Sequence, residues 1–127
     1  ALFRTAAFYK VDAILLSRKG EMGLPPSFFR ISSGGSEYVE LIKVNNLSRA
    51  ITQLIEVGTT CIGLSEHQGE DLKLQAGPIC LVLGSEDLGL SNAVERALKH
   101  FVKLENKGNI QTLNVSVAGA IAMERFF

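Results

Sequence analysis

The chain has no tryptophan, two cysteines, two histidines and three prolines among its 127 residues. Cys61 and Cys80 sit inside apolar runs (TTCIGL and PICLVL), and there is no CxxC pair or histidine cluster. The ligand spacing of a structural metal site is therefore missing, and no metal is expected. Two buried free thiols fit a reducing compartment. A cytoplasmic setting is expected, with an organelle as the alternative. No apolar run reaches the ~20 residues needed to cross a bilayer, and no signal-peptide pattern opens these residues, so no membrane partner is expected. G-x-G-x-x-G, Walker A and G-x-S-x-G patterns are also absent, and SSGGS (Ser32–Ser36) lacks the lysine of a P-loop. These absences weigh against dinucleotide oxidoreductases, P-loop NTPases and α/β-hydrolases.

Charge of one sign is not in excess, with 13 basic and 13 acidic residues. The balance is uneven along the chain. Residues 1–50 carry seven basic residues against four acidic ones, and the remainder six against nine. A nucleic-acid partner would favour the N-terminal half, although solvated surface charge accounts for the same numbers. Apolar residues at 46% and charged residues at 20% describe one ordinary globular domain.

Hydrophobic periodicity predicts the elements. Residues 1–10 read as a helix and Ala13–Leu16 as a short buried strand. Residues 18–26 are loop, with Pro25-Pro26 opening a short helix through Phe29. Tyr38–Val44 is a strand. Asn46 caps a helix over Leu47–Val57, and Gly58 ends it. Thr60–Leu64 and Ile79–Leu83 are strands separated by a polar, irregular stretch. Ser91 caps a helix over Asn92–His100, Phe101–Leu104 is a strand, and the last helix covers Asn114–Phe127. Continuous apolar strands joined by helices predict an α/β fold with a mostly parallel sheet and helices on both faces. In such sheets ligands bind beyond the carboxyl ends of the strands. Leu64, Gly84 and the residues after Leu104 all fall there.

Two segments carry polar residues that a core does not need. Gly84-Ser85-Glu86 follows a fully apolar strand, and the glycine lets a ligand approach the backbone. A plain glycine turn would read the same. Thr112, Asn114 and Ser116 cluster at the start of a helix otherwise made of small apolar residues, where one of them suffices as a cap. Ala118, Gly119, Ala120 and Ala122 allow close packing of that helix on the sheet or on a second copy. Arg4, on a small apolar helix, needs an anion. A phosphate would serve, and so would an ion pair with a residue such as Glu86. His67 and His100 read as surface or boundary residues.

Taken together, RTAAF, SSGGSEYV, LVLGSEDLGLS and LNVSVAGAIAMERF resemble the motifs of the SpoU (TrmH-like) family of the SPOUT superfamily, which are RNA ribose 2′-O-methyltransferases. SSGGSEYVELIKVNNLSRAI looks most like the RlmB-like branch acting on large-subunit ribosomal RNA; transfer RNA is the other substrate. The resemblance implies a C-terminal trefoil knot, a homodimer and S-adenosyl-L-methionine bound within the knot. It places Leu64, Gly84, Leu104 and Leu113 around the cofactor. The catalytic set it implies is Arg4, Glu86 and Asn114, with Arg4 and Thr112 against the RNA. Thr112 stands where relatives have serine, and Leu104-Glu105-Asn106 where many have Ile-Pro-Met. The family's first strand and motif-one asparagine would lie upstream of Ala1.

These residues suggest a mechanism. The 2′-oxygen must be aligned behind the methyl group and relieved of its proton. Arg4 would stabilise the developing oxyanion, alone or through the adjacent phosphate, while Glu86 and Asn114 fix Arg4 and the ribose. Unpaired nucleotides are the expected targets. Two rivals stand beside this reading: a nucleotide enzyme on a plain doubly wound sheet, and a catalytically silent RNA-binding or assembly module that keeps the fold.

Overall fold

In a computed structural model of the chain, residues 2–17, 27–30, 39–65, 69–70, 77–84, 89–109 and 113–127 are described. The elements are α1 (Leu2–Phe8), β1 (Ala13–Ser17), β2 (Ser27–Arg30), β3 (Glu40–Val44), α2 (Leu47–Glu56), β4 (Thr60–Leu64), β5 (Ile79–Val82), α3 (Asn92–Ala97), β6 (His100–Val102) and α4 (Val115–Phe126). The strands form one sheet in the order β3-β1-β2-β5-β4-β6. β1 runs parallel to β3, and β4 runs parallel to both β5 and β6.

Strand alternation builds two cores. Ile14, Ile62, Leu81 and Val102 turn to one face of the sheet, against Ala6 and Val11 and against Ala122, Met123 and Phe126 of α4. Their neighbours Ala13, Leu15, Cys61, Cys80 and Val82 turn to the other, against Leu47 and Ile51 of α2 and Val94 of α3. Period-2 burial on both faces explains why these strands read as unbroken apolar runs. The expected mostly parallel α/β sheet is found, covered on both faces along β1, β4 and β5, while the edge strand β3 leaves Leu41 and Ile42 exposed.

Two expectations need correction. Residues 27–30 form a strand and not a helix. Ser27, Phe28 and Phe29 pair antiparallel with β1, and residues 27–30 pair antiparallel with β5 from Ser27↔Val82 to Arg30↔Ile79. The strand occupies the slot between β1 and β5, whose inner edges would otherwise lack ladder partners. That backbone demand overrides proline's preference for a helical first turn. The helix at Asn92 also stops early, at Ala97. Leu98 takes an extended conformation and its N–H bonds back to the Glu95 and Val94 carbonyls, which frees His100–Val102 to become the edge strand β6.

Helix ends follow local chemistry. Asn46 caps α2 by accepting from Arg49 N–H at 3.1 Å, and Ser91 caps α3 by accepting from Val94 N–H at 3.3 Å. Gly58, at φ 94°, closes α2 while Thr59 N–H reaches back to Leu54 O. α1 closes in the same way at Lys10, where φ is 56°, with Lys10 N–H bonding Ala7 O and Val11 N–H bonding Ala6 O. These are paired C-terminal closures of the kind glycine favours.

One crossing positions everything downstream. Ser65 N–H donates to Val102 O at 2.9 Å, and Glu70 N–H donates to Phe101 O at 3.0 Å. Successive carbonyls of a strand point to opposite edges, so the chain leaving β4 reaches both edges of β6. Glu70 also meets His100 Nδ1 at 3.0 Å. A Cβ on Gly69 would lie 2.6 Å from the Lys103 nitrogen, so this passage over β6 admits only glycine.

Candidate cofactor and catalytic site

β4, β5 and β6 are neighbouring parallel strands, so their carboxyl ends lie together. Leu64 is the last residue of β4, Gly84 lies two residues beyond β5, and Leu104 two beyond β6. All three are half-buried. The fold thus brings three of the four expected cofactor residues to one edge of the sheet. A Cβ on Gly119, in the first half of α4, would lie 3.0 Å from Leu83 Cδ1, one residue beyond β5, which sets that half of the helix beside the carboxyl edge. Leu113, the fourth expected cofactor residue, precedes that helix and is exposed.

Gly84 has a role beyond ligand approach. A Cβ there would stand 2.3 Å from the Gly89 carbonyl carbon and 2.6 Å from the Leu90 nitrogen. The chain's own return at 89–90 therefore requires this glycine. Gly89 itself sits at φ 66°.

Asn114 caps α4, with its Oδ1 accepting from Ser116 N–H at 2.8 Å. Capping engages the oxygen and leaves the amide nitrogen available to donate outward from an exposed residue. Arg4 lies on the exposed side of α1 and has no hydrogen-bond or ion-pair partner among the described residues. α1 packs on α4. Leu2 approaches Gly119, where a Cβ would be 3.2 Å from Leu2 Cδ1, and Tyr9 O–H donates to Glu124 Oε2 at 2.7 Å. The contacts advance together along both helices, so α1 and α4 run in the same direction with their N-termini toward the carboxyl edge; Arg4 stands in the first turn of α1, on its exposed side. Glu86 and Thr112 lie outside the described residues.

The Leu104-Glu105-Asn106 segment builds its own turn, in which Asn106 Oδ1 accepts from Gly108 N–H at 2.9 Å. Glu105 is exposed. Among the described residues there is no group of three or more His, Cys, Asp or Glu that could hold a metal ion, and no helix is long and apolar enough to cross a membrane.

The Tyr9–Glu124 and Glu70–His100 ties were not anticipated; their partners are 115 and 30 residues apart, and no local pattern marks either. The hydrogen bond to Glu124, with smaller contributions from burial and the carboxylate's charge, holds the Tyr9 hydroxyl above its usual pKa. It stays a donor at neutral pH. Cys61 and Cys80 face each other in register across β4 and β5, both buried and free. The hydrogen bond to Cys61 and complete burial push the Cys80 thiol well above the usual range.

Neighbouring parallel strands that end together mark the edge where α/β domains of this class bind their ligands. The chain belongs to the SpoU rRNA Methylase family, whose model matches residues 1–124. A Bacillus subtilis (strain 168) protein, YacO, assigned by name to the TrmH family tRNA/rRNA methyltransferases, is 29% identical over 125 residues, covering 97% of this chain and 50% of its own length. A similarly named Staphylococcus haemolyticus (strain JCSC1435) protein is 28% identical over 125 residues, with the same coverage. The chain spans about half the length of the curated relatives it matches. Two solved structures share the fold. One from Porphyromonas gingivalis, described as of the TrmH family, has TM-score 0.76 at 21% identity over 98% of this chain and 52% of its own. The A. aeolicus TrmH/SpoU tRNA modifying enzyme has TM-score 0.75 at 23% identity, over 97% and 64%.

Proposed function

We propose that this chain carries the methyl-transfer site of an S-adenosyl-L-methionine-dependent RNA ribose 2′-O-methyltransferase acting on ribosomal RNA, with transfer RNA as the alternative substrate. The observation that carries the reading is the convergence of Leu64, Gly84, Leu104 and the Asn114 cap at one sheet edge, toward which the Arg4-bearing helix also points. Half-buried leucines and backbone beyond the last paired strand positions suit an adenine and a thioether chain. When bound, the cofactor supplies a methyl group on an already activated sulfonium.

The chain's residues would do the rest. The Arg4 guanidinium, which has no partner among the described residues, stabilises negative charge on the 2′-oxygen. The Asn114 amide donates to the ribose while its oxygen holds the helix start. Glu86, Thr112 and Leu113 complete the set by family likeness. A trefoil knot is part of the proposal, supported by the chain from β4 reaching both edges of β6. So is a homodimer. Val117 and Ile121, one turn apart on α4, remain 48% and 44% exposed. Such a stripe suits a second copy of itself.

Transfer of radiolabelled methyl from S-adenosylmethionine to total RNA, followed by nucleoside analysis, tests the reading. A 2′-O-methylnucleoside is expected. A base-methylated product would overturn the ribose assignment, and RNA binding without transfer would make the chain a silent module. Arg4→Ala should abolish turnover and leave cofactor affinity within about two-fold, because a group acting only on the oxyanion contributes little to ground-state binding. Asn114→Asp keeps the capping oxygen and should keep stability while lowering kcat. Asn114→Ala should also lose about 1 kcal/mol of stability, read by urea unfolding.

A further inference from the structure

Residues 51–127 are acidic overall, yet one short stretch within them is strongly basic. Residues 96–107 (RALKHFVKLENK) carry four basic residues, Arg96, Lys99, Lys103 and Lys107, against the single acid Glu105. They run from the last turn of α3, along β6, and into the loop beyond it. All four cations are exposed, and none has an ion-pair partner among the described residues. Glu70 meets His100 Nδ1 at 3.0 Å beside the strand, so the run sets four cations against two nearby carboxylates, Glu70 and Glu105. β6 is the terminal strand of the sheet; the 69–70 segment bonds its outer edge at Phe101, and the cations stand exposed on either side of that passage, Arg96 and Lys99 before it and Lys103 and Lys107 after it. Lys99 and Lys103 flank the strand, about 13 Å apart at the rise of an extended chain. Lys103 and Lys107 bracket Leu104 at the candidate site.

We propose that Arg96, Lys99, Lys103 and Lys107 form a track for the phosphate backbone of unpaired RNA, leading along β6 to the carboxyl-edge site. This rests on the RNA-methyltransferase reading for the site at its end, but not for the binding itself. Solvated cations without carboxylate partners are free to neutralise phosphates, and the counterions that RNA then releases drive the binding. A track along one extended strand suits an extended single strand better than a duplex, whose phosphates wind away from a straight line.

The test is fluorescence-anisotropy binding of a labelled unstructured oligouridine to the full chain over a salt series, with S-adenosylmethionine affinity measured in parallel. Neutralising all four cations to glutamine should weaken binding by at least about ten-fold at low salt. It should also flatten the slope of log affinity against log salt by roughly 3, at ~0.7 for each phosphate left without its cation. Lys10→Gln with Arg49→Gln, exposed cations elsewhere, should change the slope little. Glu105→Gln should tighten binding. A quadruple variant that melts like the parent yet binds with an unchanged slope overturns the track, as does a larger effect from the control pair. Binding equally tight to a duplex of the same length overturns the preference for unpaired RNA. Failure of cofactor binding in the parent, with the slope change intact, would strike the methyltransferase reading and leave the track standing.

Discussion

At the scale of single residues, local backbone chemistry decides more than side-chain identity suggests. Lys10 occupies a left-handed position that closes α1, where an L side chain is strained. Lys10→Gly relieves that strain but enlarges the entropy of the unfolded chain. The strain term is the larger, and a gain of about 0.5–1 kcal/mol is expected in urea unfolding. Cys80 gives a pH prediction. Its folded pKa is raised, so the folded state holds a proton that the unfolded chain releases above about pH 8.5. The stability tied to that proton is complete below this pH and is lost as pH rises toward the folded value. The shared hydrogen bond lowers Cys61 as it raises Cys80 and so offsets itself over the pair, whereas burial raises both; the midpoint of thermal unfolding should fall above about pH 9, and less steeply in a Cys61→Ala/Cys80→Ala double variant once its own lower baseline is subtracted. Individual residues were also the most legible from sequence. The caps Asn46 and Ser91, the terminator Gly58 and the burial of both thiols follow from residue type and its immediate neighbours.

At the scale of elements, α4 is the informative one. It is apolar nearly all round, and its faces divide between two uses. Gly119, Ala122, Met123 and Phe126 are buried, and a Cβ on Gly119 would be 3.0 Å from Leu83 Cδ1. The small residues therefore serve close packing on the chain's own sheet and on α1. Val117 and Ile121 face outward. Val117→Glu with Ile121→Lys should convert a dimer to a monomer in light scattering while leaving the monomer's helix content unchanged. A wild-type chain that is already monomeric would remove the dimer from the proposal. β2 shows the limit of element-level reading. Pro25-Pro26 before two phenylalanines suits a helical first turn, and only the open ladder positions of β1 and β5 select a strand.

For the whole molecule, the path of the chain from β4 over β6 organises the candidate site. Among its described residues Gly69 is the tightest point. Gly69→Ala forces a methyl group against Lys103 backbone and should cost about 1–3 kcal/mol, measured by chemical denaturation. Hydrogen exchange at the Ser65 and Glu70 amides should accelerate with it, since both bond β6 directly. Unchanged protection would mean that the passage is held elsewhere. The sequence alone determined the α/β class, the two-sided core and the strand-end positions of Leu64, Gly84 and Leu104, because burial on both faces imposes an apolar run and each run has a readable end. It could not decide the antiparallel strand, the glycine-limited crossing of β6, the tie between Tyr9 and Glu124 or the basic border along β6. Those depend on which distant segments become neighbours. Local periodicity carries no record of that choice, because backbone hydrogen bonds and close packing settle it only once the sheet has assembled.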